Sequence, residues 1–398
     1  LNFAVGTSAL TLASGAGLVS DARSSSITAA SADVTSSPIN VHLTSSVRDA
    51  EVATLIASST LVGASGLALI DNSYVIDSEL RDASNDLEVF FSRADDEYIT
   101  KSATTGHFSN DAALRLGTLA ANGTGYDADM VTALNTLDLD QWGYGNNEAN
   151  LAVQVQKLAP TANHSIALSA YQTTRRVADA IGMEMHRHRL PESGDESGTW
   201  WARSIYTDHN QDSIGLYDGF DAQILGTTLG YDVRPTDDSM LGLAVSFTTT
   251  SVDQNDFRSG DSASISGLHL STFGALNLDE NWSLAANLTL SDLSTDTTRS
   301  TIVDRVANGS IEGTQATVDA TLGYHMPIRD TEMVLTPFLN VHASSLDQDA
   351  YTETGSAGSV GLAIANDSSD RSEVALGLQL EGTSLWRGMV IKPDFSLA

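Results

Sequence analysis

Residues 240–247 read MLGLAVSF, and residues 282–290 read WSLAANLTL. In the first stretch Leu241, Leu243, Val245 and Phe247 share one face of an extended chain, because successive side chains alternate across a strand. Gly242, Ala244 and Ser246 share the other. In the second, Trp282, Leu284, Ala286, Leu288 and Leu290 stand opposite Ser283, Ala285, Asn287 and Thr289. A half-buried strand of a soluble protein turns its large apolar side chains into a core and its polar ones to water. Here the opposite face is small as well as polar, so the two stretches leave open which face is the inside.

The same alternation recurs from residue 199 onward. Leu225, Leu229, Tyr231 and Val233 oppose Gly226, Thr228, Gly230 and Asp232; Ala316, Val318, Ala320 and Leu322 oppose Thr317, Asp319 and Thr321; Val374, Leu376, Leu378 and Leu380 oppose Glu373, Gly377 and Gln379. Phe273 and Phe338 fall on the small, polar face as exceptions. About ten such segments of roughly 9–12 residues are legible, the length a tilted strand needs to cross a bilayer. Their connections fall into two classes. RPTDDS (234–239), LDEN (278–281) and PIRDTE (327–332) read as short turns, while 248–263, 291–313 and 344–358 read as long polar loops. Such alternation is the habit of outer-membrane barrels; a soluble sandwich alternates faces but has no reason to alternate loop lengths.

Upstream the texture changes twice. Residues 1–104 are rich in Ser, Thr, Ala and Gly and carry short β-like pieces, SALTLAS, SSITAAS, INVHLT, ATLIASS, LALID and LEVFFSR. These suit the rungs of a β-solenoid, although no strict period is visible. Residues 105–163 take helical spacing in SNDAALRLGTLA and NEANLAVQVQKLAP, the latter stopped by Pro160. A third helical run, 164–190, concentrates Arg175, Arg176, Arg187 and Arg189 in an otherwise acidic chain. Cations at its C-terminal end suit the helix dipole, which leaves Arg175 and Arg176 to be explained.

Composition narrows the function classes. The net charge is −31, with lysine only at 101, 157 and 392, which argues against nucleic acid as a partner. There is no cysteine, hence no disulfide or thiolate metal site. No apolar run approaches the roughly 18–20 residues of a membrane helix, a test that barrels pass unseen. No G-x-S-x-G elbow occurs, Asp95–Asp96 and Asp237–Asp238 sit in turn-like contexts, and His186 and His188 point apart on a helix. The reading is therefore of no catalytic residue, no cofactor and no metal.

Several stretches resemble the C-terminal part of a classical, monomeric autotransporter: GTWWARS, GFDAQILGTTLGYDVRP with SMLGLAVSF, TPFLNVHASSLDQDAYTETG and SEVALGLQL. NDAALRLGTLA…EANLAVQVQKLAP is similar to the helical segment before such barrels, and NFAVGTSALTLASGAGLVSD to the last rungs of a passenger β-helix. The resemblance implies a mainly β fold, a transmembrane antiparallel barrel of a twelve-stranded family. It implies a passenger end over 1–104, a helical junction over 105–163, a pore-threading helix over 164–190 and the barrel over 199–398. The implied role is export of the chain's own N-terminal passenger to the surface of a Gram-negative bacterium. Outer-membrane lipid, the barrel-assembly machinery and periplasmic chaperones are the implied partners. Within such a lumen Arg175 and Arg176 are expected to pair with inward carboxylates, Asp319 and Glu373 being the candidates by parity. The family ends on an aromatic residue that this sequence does not reach, so a fragment lacking about two closing strands is expected. Two alternatives stay open on sequence grounds: a surface adhesin or enzyme whose working domain lies upstream of Leu1, and a soluble, secreted β-rich binding protein.

Overall fold

The fold is seen in a computed structural model, which describes residues 3–93, 163–187 and 198–397 apart from short interruptions, together with Lys157. The helical segments expected over 105–160 otherwise lie outside the described residues. The chain divides into two compact units, one built on residues 1–160 and the other on 161–299, 308–354 and 362–398.

In the first unit nine short strands stack in threes: β1 (Phe3–Ala4), β2 (Ala9–Thr11), β3 (Leu18–Asp21), β4 (Ile27–Ala29), β5 (Ser31–Asp33), β6 (Ile39–His42), β7 (Val52–Ser58), β8 (Leu61–Val62) and β9 (Leu69–Asp71). Every third strand pairs in parallel, giving the orders β1-β4-β7, β2-β5-β8 and β3-β6-β9. This is solenoid topology, and all six β-like pieces read from the sequence overlap these strands or β11 below. The missing period has a simple cause. Phe3 pairs with Ile27 and Ile27 with Ile56, so successive rungs are 24 and 29 residues apart. Stacking conserves the strand positions while the connections between them vary. Val34, Ile39, Leu55, Ile56, Leu87, Val89 and Phe91 fill the core.

The stack is closed by an antiparallel hairpin, β10 (Ile76–Ala83) with β11 (Asp86–Arg93), laid against β7. Ser84 and Asn85 both take positive φ, as a two-residue turn matched to strand twist requires. The outer strand, β10, carries Asp77, Glu79, Arg81 and Asp82, charges that discourage a further strand from adding to this edge. Between rungs, Gly63 has φ +83°, and a Cβ there would lie 2.4 Å from Thr35 Oγ1, which donates to Asp33 Oδ1 at 2.6 Å. Gly63→Ala is therefore expected to cost about 1–3 kcal/mol, read as a lowered urea midpoint for loss of the solenoid's far-UV signal. An unchanged midpoint would show that the rung turn relaxes freely.

The second unit begins with a 25-residue helix, α1 (Asn163–Arg187), and continues as an eleven-stranded antiparallel sheet that curls into part of a barrel. Its long strands are β12 (Thr199–Gln211), β13 (Phe220–Thr236), β14 (Ser239–Gln254), β15 (Ser262–Asn277), β16 (Trp282–Ser300) and β17 (Val306–Tyr324). After β18 (Met326–Pro327), a two-residue strand beside β19, come β19 (Met333–Gln348), the short β20 (Tyr351–Thr352), β21 (Thr354–Gly355) and β22 (Ala363–Ile364), and then β23 (Asp367–Gly382). The remaining strands are β24 (Ser384–Trp386), β25 (Met389–Ile391) and β26 (Asp394–Leu397). The main path runs β12-β13-β14-β15-β16-β17-β19-β23-β26 with neighbours in sequence paired as meander hairpins; among the described residues β12 and β26 are its edges.

The strands are longer than the sequence reading expected. Much of 248–263, 291–313 and 344–358, read there as polar loop, is strand: β14 runs to Gln254, β15 starts at Ser262, β16 runs to Ser300 and β19 to Gln348. A segment such as SDLSTDTTRS looks like loop because nearly all its residues are polar, yet its alternation persists and its ladder continues.

The inside of the sheet is also settled. Leu241, Leu243 and Phe247 are exposed, as are Leu284, Leu288 and Leu290, Val318, Val341, Val374, Leu376 and Leu378. Leu243 is 67% exposed and Leu376 76%, whereas Ser246, His269, Thr289 and Thr317 are fully buried. The sheet is apolar outside and polar inside over this band. Trp200 packs against Tyr231 and Trp282 against Tyr324 with tilted rings, each pair 4.9 Å apart between ring centroids, at the short-turn end of the band. Such aromatic pairs mark the border between hydrocarbon and water.

Candidate functional site: the helix in the concave face of the sheet

α1 lies in the concave face and meets strands all along the arc. Its spacing suits the place. Ile166, Ala170 and Tyr171 occupy one stretch of a continuous face, and Val177, Ala180, Ile181 and Met185 extend it two turns further. Thr173 and Thr174 are buried at its centre, their hydroxyls donating to helix carbonyls three or four residues earlier, which leaves the hydroxyl oxygens free to meet the strands as well.

Two apolar clusters hold the helix. Towards its N-terminus Phe220, Ala222, Val252, Ala263, Ile265, Leu293, Ile311 and Leu346 converge from six strands on Ile166, Ala170 and Tyr171. Towards its C-terminus Trp201, Ile205, Ile224, Met240, Ala244, Phe273 and Ala285 pack against Val177, Ala180, Ile181 and Met185. The small residues that made MLGLAVSF ambiguous have two uses here. Ala244 packs in the second cluster, while Gly242 leaves room for a neighbouring ring: a Cβ there would lie 2.2 Å from Phe273 Cζ. Phe273, an exception to the alternation, thus fills space that the glycine on the adjacent strand vacates.

Polar contacts supply the remaining grip. Thr173 Oγ1 is 2.7 Å from Thr250 Oγ1, Gln315 Nε2 donates to Thr174 Oγ1 at 2.9 Å, and Tyr171 Oη donates to the Ser369 carbonyl at 2.6 Å. Arg203 donates to Glu184 at 2.9 Å. The four residues singled out from the sequence fall as follows. Arg175 Nη1 donates to Asp319 Oδ2 at 2.9 Å and to Asn340 Oδ1 at 3.0 Å. His342 Nδ1 lies 3.3 Å from the same Asp319 oxygen, and Asn340 Nδ2 donates to Asp319 as well. Arg176 donates to Asp179 within the helix at 3.1 Å, and Glu373 accepts from Arg371, two residues before it on its own strand, at 2.6 Å. So Arg175 and Asp319 come together, whereas Arg176 and Glu373 each take a nearer partner. Both nevertheless line one cavity of about 340 Å³ with Tyr171, Arg175, His209 and His342. A partner two or three residues away costs less side-chain ordering than one across the cavity, which accounts for the choice.

Sequence reading missed a second set of charges at the strand ends remote from the short turns. Arg299 and Glu353 form a bidentate pair whose side chains are only 5% and 3% exposed. Glu353 also accepts from the Leu362 amide at 2.8 Å, tying together a connection that alternation could not place. Arg258, on a 3-10 turn spanning Asp256–Arg258, pairs with Asp261 at 3.3 Å and is equally buried. Burial lowers the Arg258 pKa, an effect Asp261 opposes. Nearby, the Tyr351 phenol is pushed up to about 12 by burial, with the Glu353 charge acting in the same direction. Arg299 falls in a stretch read from the sequence as loop, and its partner lies 54 residues on in a polar connection.

The sequence profile described as the autotransporter β-domain matches residues 200–398, half of the chain. Outer membrane protein B of Rickettsia typhi is 25% identical over 253 residues, covering 60% of this chain and 15% of that protein; its counterpart in Rickettsia rickettsii is 24% identical over 193 residues, 46% and 12%. The chain thus spans only about an eighth to a seventh of the length of these relatives. Among solved structures, the translocator domain of autotransporter NalP from Neisseria meningitidis superposes with a TM-score of 0.44 at 17% identity, over 53% of this chain and 71% of that one. The β domain of the Bordetella autotransporter BrkA gives 0.40 at 17% identity, over 51% and 77%. With an outward apolar band, an inward polar face and a helix seated within it, and with the profile covering half its length, the chain belongs to the autotransporter β-domain family and carries an outer-membrane translocator domain.

Proposed function

We propose that residues 199–398 support export of the chain's own N-terminal part, with residues 1–104 as the end of the exported passenger, 105–163 as the junction and the helix over 164–190 as the segment left in the pore. The observation that carries this reading is α1 itself. A 25-residue helix with mixed polarity is held in the concave face by side chains of β12, β14, β17, β19 and β23, including the ion pair Arg175–Asp319. A helix that had only to pack on one sheet face would need no partners on the opposite side of the arc. The solenoid topology of the first unit supports the passenger assignment, since stacked rungs can fold progressively from one end as they emerge. Outer-membrane lipid surrounds the apolar band. The barrel-assembly machinery and periplasmic chaperones are partners on grounds of family kinship, and any enzymatic activity would belong to the passenger.

The test is the full-length protein in a Gram-negative outer membrane. Protease added to intact cells should remove the solenoid, and deletion of 199–398 should leave it protected in the periplasm; a solenoid protected in both cases would defeat the proposal. In the purified translocator, Asp319→Ala should cost about 1–3 kcal/mol, because Arg175 keeps Asn340 and, at 3.5 Å, Asp179. Replacing Arg175 and Arg176 together by Ala should alter single-channel conductance or the temperature at which gel mobility shifts. Wild-type values in both would remove the arginines from the proposed role.

A further inference from the structure

Along neighbouring strands the polarity of the sheet reverses, and it does so at one level. On β13 the outward residues Leu225, Leu229 and Tyr231 give way to Gln223 and Asp221, while the inward ones change from Gly226 and Thr228 to Ala222 and Phe220. On β14 the outward series runs Leu241, Leu243, Phe247 and then Thr249, Ser251, Asp253, as Val252 appears inside. On β16 outward Leu288 and Leu290 are followed by Asp292 and Asp296, as Leu293 turns in. Register shows that these borders are neighbours across the ladders: Tyr206 faces Leu225, Phe247 faces Leu268, Leu270 faces Leu290 and Val341 faces Val374. Below the border the wall is apolar outside and largely polar inside. Above it the outer face is polar, and the inner face carries apolar side chains among buried Thr250, Gln254, Thr295 and Thr297.

We infer that the upper part of the wall is a hydrated sleeve standing outside the hydrocarbon layer, so that lipid tails meet only the turn-side part. Three features converge. First, Asp253, Asp292, Asp296, Glu312, Asp347 and Asp370 all point outward and exposed above the border, where hydrocarbon would strip them of water. Second, an apolar cluster of inward side chains sits at this level, in which Phe220, Val252, Ile265, Leu293, Ile311 and Leu346 close around the N-terminal turns of α1. Here that core is backed by a polar outer face, whereas the cluster around Val177 and Ile181 below the border is backed by outward leucines. Third, the buried pairs Arg299–Glu353 and Arg258–Asp261 sit at the far end of this part, where connections fold inward over that core. From Asp292 to Ser300 the wall rises by about 20–25 Å at the usual strand rise and tilt, similar to the apolar band beneath it. One of the two apolar rings that grip the helix therefore lies outside the bilayer, with the Arg175–Asp319 network beneath it.

This inference rests on the outer-membrane reading, and the test separates the two. The sequence contains no cysteine, so single cysteines report without background. Ser251→Cys, Ser264→Cys and Ser345→Cys should react with a membrane-impermeant maleimide in intact cells at least about tenfold faster than Leu243→Cys, Leu290→Cys and Val341→Cys. Each variant is first shown to be folded by its heat-shifted gel mobility, and each should label fully in urea. If folded protein protects all six sites, the sleeve is refuted while the lipid-facing band stands. If the band sites label as fast as the sleeve sites, the membrane reading itself fails.

Discussion

Leu243→Lys is expected to destabilise the translocator by about 2–4 kcal/mol, the cost of a cation near the middle of a lipid-facing band. Leu243 lies outward on β14, 67% exposed, between Leu241 and Phe247, and its register partners are Tyr231 on β13 and Thr272 on β15. A lysine there either meets hydrocarbon or must snorkel past Tyr231 towards the short-turn border, and both cost free energy. Ser251→Lys, eight residues further along the same face, is expected to change stability by less than about 0.5 kcal/mol, as exposed surface substitutions do. The pair is a controlled comparison: same strand, same face, same side chain introduced. The measurement is a urea titration of the folded fraction in phospholipid vesicles, read by heat-modifiable mobility and tryptophan fluorescence. Equal midpoints for the two variants would mean that the apolar band does not meet lipid.

Glu353→Ala should have an effect of similar or greater size, about 3–5 kcal/mol, by a different route. The glutamate is bonded through both oxygens to Arg299 and accepts the Leu362 amide, and both charged side chains are withdrawn from water. Removing the carboxylate takes a bidentate partner from a guanidinium withdrawn from water and orphans an amide, so the cost is largely that of the groups left behind rather than of the bond itself. It follows that the double substitution Arg299→Met with Glu353→Leu should recover most of the loss, since well-packed apolar replacements of a buried pair are often neutral. Thermal unfolding followed by gel mobility would show it. A loss below about 1 kcal/mol for the single variant would mean that water reaches Arg299, and that the inward connections are looser than the contacts imply.

What the sequence could and could not convey follows from how each feature is encoded. Period-2 alternation carried the lipid-facing band, because a strand with one face in hydrocarbon has no freedom at its outward positions. Solenoid rungs were legible as pieces, yet their stacking was not, since the partners of Ile27 lie 24 and 29 residues away in either direction along connections of unequal length. Asp319 could be placed inside by parity and Arg175 through the resemblance to a pore helix, but the choice of partner is a matter of three-dimensional reach. Arg176 found Asp179 one turn on, and Glu373 found Arg371 beside it. The strand ends beyond the band were misread as loops for a reason of solvent rather than of pattern: with water outside, the outward residues became Asp, Ser and Thr, and the apolar signal shrank to an inward residue every fourth position or so.

By itself, then, the amino-acid sequence determined that MLGLAVSF and its neighbours are strands, that their leucines share one face, and that the opposite face is too small and polar to be a core. Those properties are local, set by the alternation of side chains across an extended backbone. Only the tertiary structure decided that the leucine face is the outside, and that Gly242 yields its place to Phe273. It also decided that the same strand continues to Gln254, with polar residues outward and Val252 turned in. Curvature, register and the helix within the curve decide these matters, because inside and outside are properties of a closed surface and a single strand has none.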